Sequence, residues 1–113
     1  MSAAVLDVPA DAAAFRLAAG AAGTLTAQGP LTFATARRAC EQGAAALADT
    51  AGAKLEIDCR GITASDSAGL AVLLEWLSKA RHAGRSLRYT QLPQGLAALA
   101  RISDVEELLE RGV

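Results

Sequence analysis

Aromatic side chains are scarce in this sequence: two phenylalanines, one tyrosine and one tryptophan make up 4% of the chain. So few stacking platforms leave little with which to hold single-stranded nucleic acid. A charge excess of either sign is also missing, since eleven basic and twelve acidic residues give a net charge of -1. A protein that neutralises several phosphates needs a basic surplus or stripe, so no nucleic-acid partner is expected. Lys79, Arg81, Arg85 and Arg88 form only a loose basic stretch and read as solvated faces. Histidine occurs once, at His82, and cysteine twice, at Cys40 and Cys59. Those residues match no zinc or thiol-redox spacing, so no metal is expected. Both cysteines fall at apolar positions of their local patterns and are expected as buried, reduced thiols. No apolar run approaches the ~18 residues of a membrane span. The opening MSAAVLDVPADAAAF lacks the basic and apolar regions of a secretory signal, so a cytoplasmic location is expected. Neither G-x-x-x-x-G-K-[ST] nor G-x-G-x-x-G occurs, and no cofactor is expected.

What remains suits a single domain. The chain has 113 residues, 52% hydrophobic and 20% charged, against a common domain size of about 100–150 residues. Alanine supplies about a quarter of it. Residues 1–13 read as a loose lead-in and residues 14–113 as the folded domain. Phe15, Leu17 and Ala19 alternate with Arg16 and Ala18, a short half-buried strand. A turn at Gly20–Gly23 leads into a second strand over Thr24–Gln28, stopped by Gly29-Pro30, and the pair reads as a hairpin. Thr32 is the expected N-cap of a helix from Phe33 to Asp49, with Phe33, Ala36, Cys40, Ala44 and Leu47 on its buried face. Leu55, Ile57 and Cys59 alternate with Glu56 and Asp58, a third strand covered on one face.

The segment from Gly61 to Gly69 then leads into a helix from Ala68 to Ala83. Its apolar stripe is Leu70, Leu73, Leu74, Leu77 and Ala80, widened by Val72 and by Trp76, which is expected in the core. Gly84 ends it. Ser86–Leu92 reads as a fourth strand, and Pro93 opens a helix carrying Leu96, Leu99 and Ala100. Ser103 and Glu106 have capping-box spacing for a last short helix with Val105, Leu108 and Leu109 inward. Glu106, Glu107 and Glu110 read as its solvated face. Strands joined through helices make this a small α/β protein.

Ser65-Asp66-Ser67-Ala68-Gly69 joins the third strand to the leucine-rich helix. Asp and Ser at such a junction satisfy the free N–H groups of a first helical turn. Ser67 has no base in the sequence to activate it, so nucleophilic catalysis is not expected. His82, near a helix end, reads as a surface cap.

Gly29-Pro30-Leu31-Thr32-Phe33-Ala34-Thr35-Ala36, then Leu55-Glu56-Ile57-Asp58, then Asp66-Ser67-Ala68-Gly69-Leu70, resembles the STAS domain, named for sulphate transporters and anti-sigma factor antagonists. The resemblance runs from about residue 14 to 110. It implies a small, mixed but largely parallel sheet of about four strands, with about four helices mainly on one face. It also implies a non-catalytic interaction module. In the anti-sigma antagonists a phosphorylatable hydroxyl lies immediately before the motif glycine. Here Ala68 holds that position, leaving Ser67 as the candidate phosphorylation residue.

D-S-A-G-L followed by an aliphatic helix looks like the MlaB-type STAS subunits of Mla phospholipid ABC transporters. That resemblance implies partner binding through Asp66, Ser67, Ala68 and Gly69. The implied partner is the cytoplasmic ABC transporter ATPase, and through it, indirectly, the membrane permease. The chain would then sit peripheral to the inner membrane without inserting into it. The alternative the resemblance leaves open is an anti-sigma factor antagonist with a serine-kinase partner.

Overall fold

The computed structural model describes residues 14–21 and 23–112, so the lead-in expected over residues 1–13 lies outside the described residues. In chain order the elements are β1 (Arg16–Ala19), β2 (Thr24–Leu31), α1 (Ala36–Asp49), β3 (Lys54–Ser65), α2 (Ser67–His82), β4 (Ser86–Thr90), α3 (Gln94–Ile102) and α4 (Glu106–Arg111). The sheet order is β1-β2-β3-β4, with β1 antiparallel to β2 and the other two pairs parallel. A hairpin followed by helix-linked strands is the topology that the alternation and periodicity imply.

Period-two alternation decides which face of the sheet is covered. Leu25, Ala27, Leu55, Ile57, Cys59, Leu87 and Tyr89 are buried in one cluster with the helices, while Glu56 and Asp58 point to the other, half-exposed face. On α2, Leu70, Leu73, Leu77 and Ala80 are buried together with Val72 and Trp76. Trp76 is fully enclosed and packs against Phe15, ring centroids 5.8 Å apart. The Tyr89 hydroxyl donates to the Leu73 carbonyl at 2.7 Å, giving its buried oxygen a partner.

Two polar side chains tie helices to backbone. Gln42 on α1 accepts from the Leu17 N–H at 3.0 Å and donates to the Phe15 carbonyl at 2.9 Å. It thus occupies two of the backbone groups that an edge strand would otherwise offer to another chain. Arg85, read from sequence as part of a solvated basic stretch, instead reaches back to the end of α1. Its guanidinium donates to the carbonyls of Gly52, Leu47 and Thr50, closing a helix C-terminus whose last carbonyls lack intrahelical donors.

Several expected boundaries move. β2 does not stop at Gly29-Pro30 but continues to Leu31. Gly29 has a φ of 89°, and register shifts on both sides of it form an irregularity in which the missing N–H of Pro30 is tolerated. β3 runs on to Ser65 rather than ending at Cys59, because the end of β2 lies beside it and pairs Pro30 with Ala64 and Leu31 with Ser65. β4 ends two residues early, at Thr90, where Gln91 takes a φ of 55°.

Helix α1 begins at Ala36, with Thr35 rather than Thr32 at the N-cap position. Its buried residues are Ala39, Gly43 and Leu47, with Ala36 and Cys40 half-buried and Ala44 exposed. Cys59 is buried as expected, whereas Cys40 is only half-buried, and both are free thiols. Ser103 closes α3, and its side chain does not cap α4, where Val105 stands at the N-cap position. Glu106 pairs with Arg101 at 3.3 Å instead of reaching back to Ser103. Leu109 is buried, but Leu108 is 37% exposed rather than inward.

Candidate functional site: a docking turn at one end of the sheet

Because β2 and β3 are parallel and end in register at Leu31 and Ser65, the segments leaving them emerge side by side. The carboxyl ends of parallel strands are where an α/β sheet places its recognition loops. Here they are residues 32–35, leading into α1, and the Asp66 turn leading into α2.

Asp66 holds the two together. One carboxylate oxygen accepts from the Gly69 N–H at 3.0 Å, capping α2, and the other accepts from the Phe33 N–H at 3.0 Å. These donors, Phe33 first and then Gly69, hold the carboxyl below its usual range against an opposing effect of desolvation, with Ala68 contributing least. The cap expected from the sequence is therefore present, with a cross-link to another loop added. Thr35 fixes that loop from within: its hydroxyl accepts from the Thr32 N–H at 3.0 Å and donates to the Pro30 carbonyl at 2.8 Å.

The four expected contact residues stand at different depths. Ser67 is exposed, and its hydroxyl makes no hydrogen bond among the described residues. Ala68 is half-buried, and Asp66 is half-buried with both oxygens engaged by backbone. Gly69 is buried, and a Cβ there would lie 2.1 Å from the Leu31 carbonyl oxygen. Only glycine lets α2 start this close to the end of β2, so Gly69 shapes the turn from beneath while Ser67 faces outward.

Sequence reasoning missed Phe33. Placed by spacing on the buried face of α1, it is 83% exposed, because the helix starts three residues later and the turn carries the ring outward. The missing signal is tertiary: nothing local announces that Asp66 will hold the Phe33 amide. Behind Phe33 runs a shallow groove of about 700 Å³ between α1 and α2, floored by Ala36, Cys40, Ala68, Ala71 and Val72. On its rims Arg37 pairs with Glu41 at 3.9 Å and Lys79 with Glu75 at 3.7 Å. Burial, reinforced by Glu75, pushes the Cys40 thiol up, and its side chain lines the groove. The Cys59 thiol is pushed up to about 12 by burial and by Asp58.

Asp66 and the Ser67 hydroxyl are not hydrogen-bonded to one another among the described residues, and both carboxylate oxygens accept from backbone N–H groups. His82 lies at the far end of α2, its Nδ1 paired with the Ser78 carbonyl at 2.8 Å. No cluster of histidine, cysteine or carboxylate that could hold a metal occurs among the described residues. No described helix is long and apolar enough to cross a membrane. The arrangement is a hydrogen-bonded pair of turns with a small apolar groove and an exposed Ser67 hydroxyl.

The family model described as "Mlab, STAS domain" matches residues 15–110. The chain belongs to the STAS family and is of the MlaB type. Among solved structures it is similar to the anti-sigma factor antagonist SpoIIAA in its unphosphorylated form, with a TM-score of 0.58 and 14% identity, covering 81% of this chain and 83% of that one. It is equally similar in fold to a sulfate transporter family protein from Wolinella succinogenes, with a TM-score of 0.58 and 20% identity, covering 82% and 75%. No curated protein matches it significantly. At these identities the two structures establish the fold, a four-stranded mixed sheet with four helices.

Proposed function

We propose that this protein is a non-catalytic interaction subunit of an Mla-type phospholipid ABC transporter. It binds the cytoplasmic ATPase, supports its assembly and activity, and sits peripheral to the inner membrane through that partner, with the permease reached only indirectly. The observation that carries this reading is the MlaB-type family match across residues 15–110. The site agrees with it. A hydrogen-bonded turn presents an exposed hydroxyl beside an apolar groove, which suits protein recognition better than chemistry. Ser67 and Ala68 then meet the partner, while Asp66 and Gly69 hold the turn in shape.

Ser67→Arg tests the surface, since it adds bulk and charge at an exposed position that makes no internal hydrogen bond. The expected outcome is weakened ATPase binding with an unchanged melting temperature. Wild-type affinity in that variant overturns the assignment of the surface.

The exposure of Ser67 also keeps the anti-sigma antagonist reading in view, because a kinase can reach this hydroxyl. A phosphate would bring about -1.5 to -2 charges to the start of α2. Against it stands Ala68, which has no hydroxyl at the antagonists' phosphorylation position and lines the groove. Intact mass after incubation with a serine-kinase anti-sigma factor separates the two. A transporter subunit is expected to stay unmodified, and a gain of one phosphate at Ser67 favours the antagonist.

A further inference from the structure

We infer that Phe33 is the aromatic anchor of this docking face, that Asp66 is the residue positioning it, and that the partner receives the ring in an apolar cleft. The inference deepens, and rests on, the reading of the chain as an ATPase-docking subunit. An aromatic ring that is 83% exposed is unusual in a chain with so few aromatics. Large aromatics are also the side chains that most often dominate binding at an interface. The exposed Ile102 at the end of α3 has no comparable setting.

The backbone beneath the Phe33 ring is already ordered. Its N–H is held by Asp66, and the turn that carries it is closed by the Thr35 hydroxyl. A partner therefore need not spend binding energy on ordering that loop.

The chemistry of the complement follows from the surroundings. Ala36, Ala68 and Ala71 beside the ring are small and apolar, so a partner surface can approach closely. The nearby charges are paired along their own helices, Arg37 with Glu41 and Glu75 with Lys79. Each oxygen of the Asp66 carboxylate accepts from a backbone N–H group of the turn. The fitting complement is therefore an apolar cleft for the ring, bordered by polar groups that meet the exposed charges on the groove rims. Asp66 thus acts through Phe33 rather than by touching the partner.

A double-mutant cycle tests this with the purified ATPase subunit of the Mla-type transporter from the same organism as the probe. Phe33→Ala removes an exposed ring and leaves the core intact. It is expected to weaken binding by about thirtyfold or more. Asp66→Asn keeps one acceptor oxygen but turns an amide NH2 toward the other backbone donor. It is expected to weaken binding less, and to add nothing once Phe33 is already alanine. In the free Asp66→Asn protein the Phe33 amide proton should exchange faster with solvent, while unfolding stays cooperative. If Ser67→Arg weakens binding but Phe33→Ala binds like wild type, the anchor is overturned and the transporter reading stands. If Asp66→Asn still lowers affinity in the Phe33→Ala background, Asp66 touches the partner and its positioning role is overturned. If the wild-type protein does not bind the ATPase subunit, both fall.

Discussion

Asp66 and Phe33 lie 33 positions apart in the chain, yet one carboxylate oxygen joins them while the other caps α2. That arrangement stabilises the ionised carboxyl, so its pKa in the folded protein lies below the ~3.9 of an unfolded chain. A depressed carboxyl contributes stability that is complete above the unfolded value and is lost as pH falls through the folded one. Melting temperatures of wild type and Asp66→Asn should therefore differ by a constant amount between about pH 5 and 7. The gap should close as the pH drops below about 4. Asp58, lowered by its bonds from Arg60, adds acid sensitivity of the same sign to both proteins, so the difference between them isolates Asp66. A gap that stays constant down to pH 3 would mean that the carboxylate is not the bridge described here. The cap half of this arrangement is legible in the sequence, because Asp before a leucine-rich helix is a local signal. The cross-link to Phe33 is not, since it depends on two strands ending in register.

At the scale of elements, the α1–α2 contact shows how little an alanine-rich helix reveals about its own phase. Small residues stand on both sides of α1, and spacing from Phe33 and Cys40 suggests a stripe about one residue out of step with the buried set of Ala39, Gly43 and Leu47. Helix α2, with bulky leucines on one side and Glu75, Ser78 and Lys79 on the other, is unambiguous. Likewise the first half of β3 alternates clearly, whereas Gly61-Ile62-Thr63-Ala64-Ser65 has no strand signature and is extended by pairing with β2.

The packing beneath Gly43 gives a sharp test. A Cβ there would lie 1.9 Å from the buried Nε1 of Trp76. Gly43→Ala should destabilise the protein by about 1–3 kcal/mol, since overpacking a filled core outweighs the gain in helix propensity. Gly95, in α3, has nothing within 4 Å of such a Cβ. Gly95→Ala should stabilise by about 0.5–1 kcal/mol. Denaturant unfolding followed through Trp76, the chain's one tryptophan, reads both, and equal effects of the two substitutions would contradict the packing described.

The whole molecule is a sheet whose covered face is filled by helices and whose parallel strands deliver two loops to one edge. Residues 54, 56, 88 and 111 line a second concavity, of about 450 Å³. There Arg88 is paired with Glu56 and Arg111 with Glu107, which makes a polar surface crossed by ion pairs. The 32–35 and 66–69 turns and the groove between α1 and α2 bring together the exposed Phe33 ring, the Ser67 hydroxyl and a floor of small apolar residues. Fold class and the place of the D-S-A-G-L turn can be read from the chain, because strand alternation and a capped leucine helix are strong local patterns. The depth of each residue in that turn depends on how α2 sits against Leu31, and only the assembled fold shows it.

The central claim is that this edge docks onto a transporter ATPase. Its most direct test is to capture the tagged, full-length protein from detergent-solubilised cells of its source and identify what accompanies it by mass spectrometry. Recovery of an ABC ATPase together with its membrane permease, and loss of both with Ser67→Arg, is the expected result. Recovery of a serine-kinase anti-sigma factor in their place, with phosphate on Ser67, would contradict the claim.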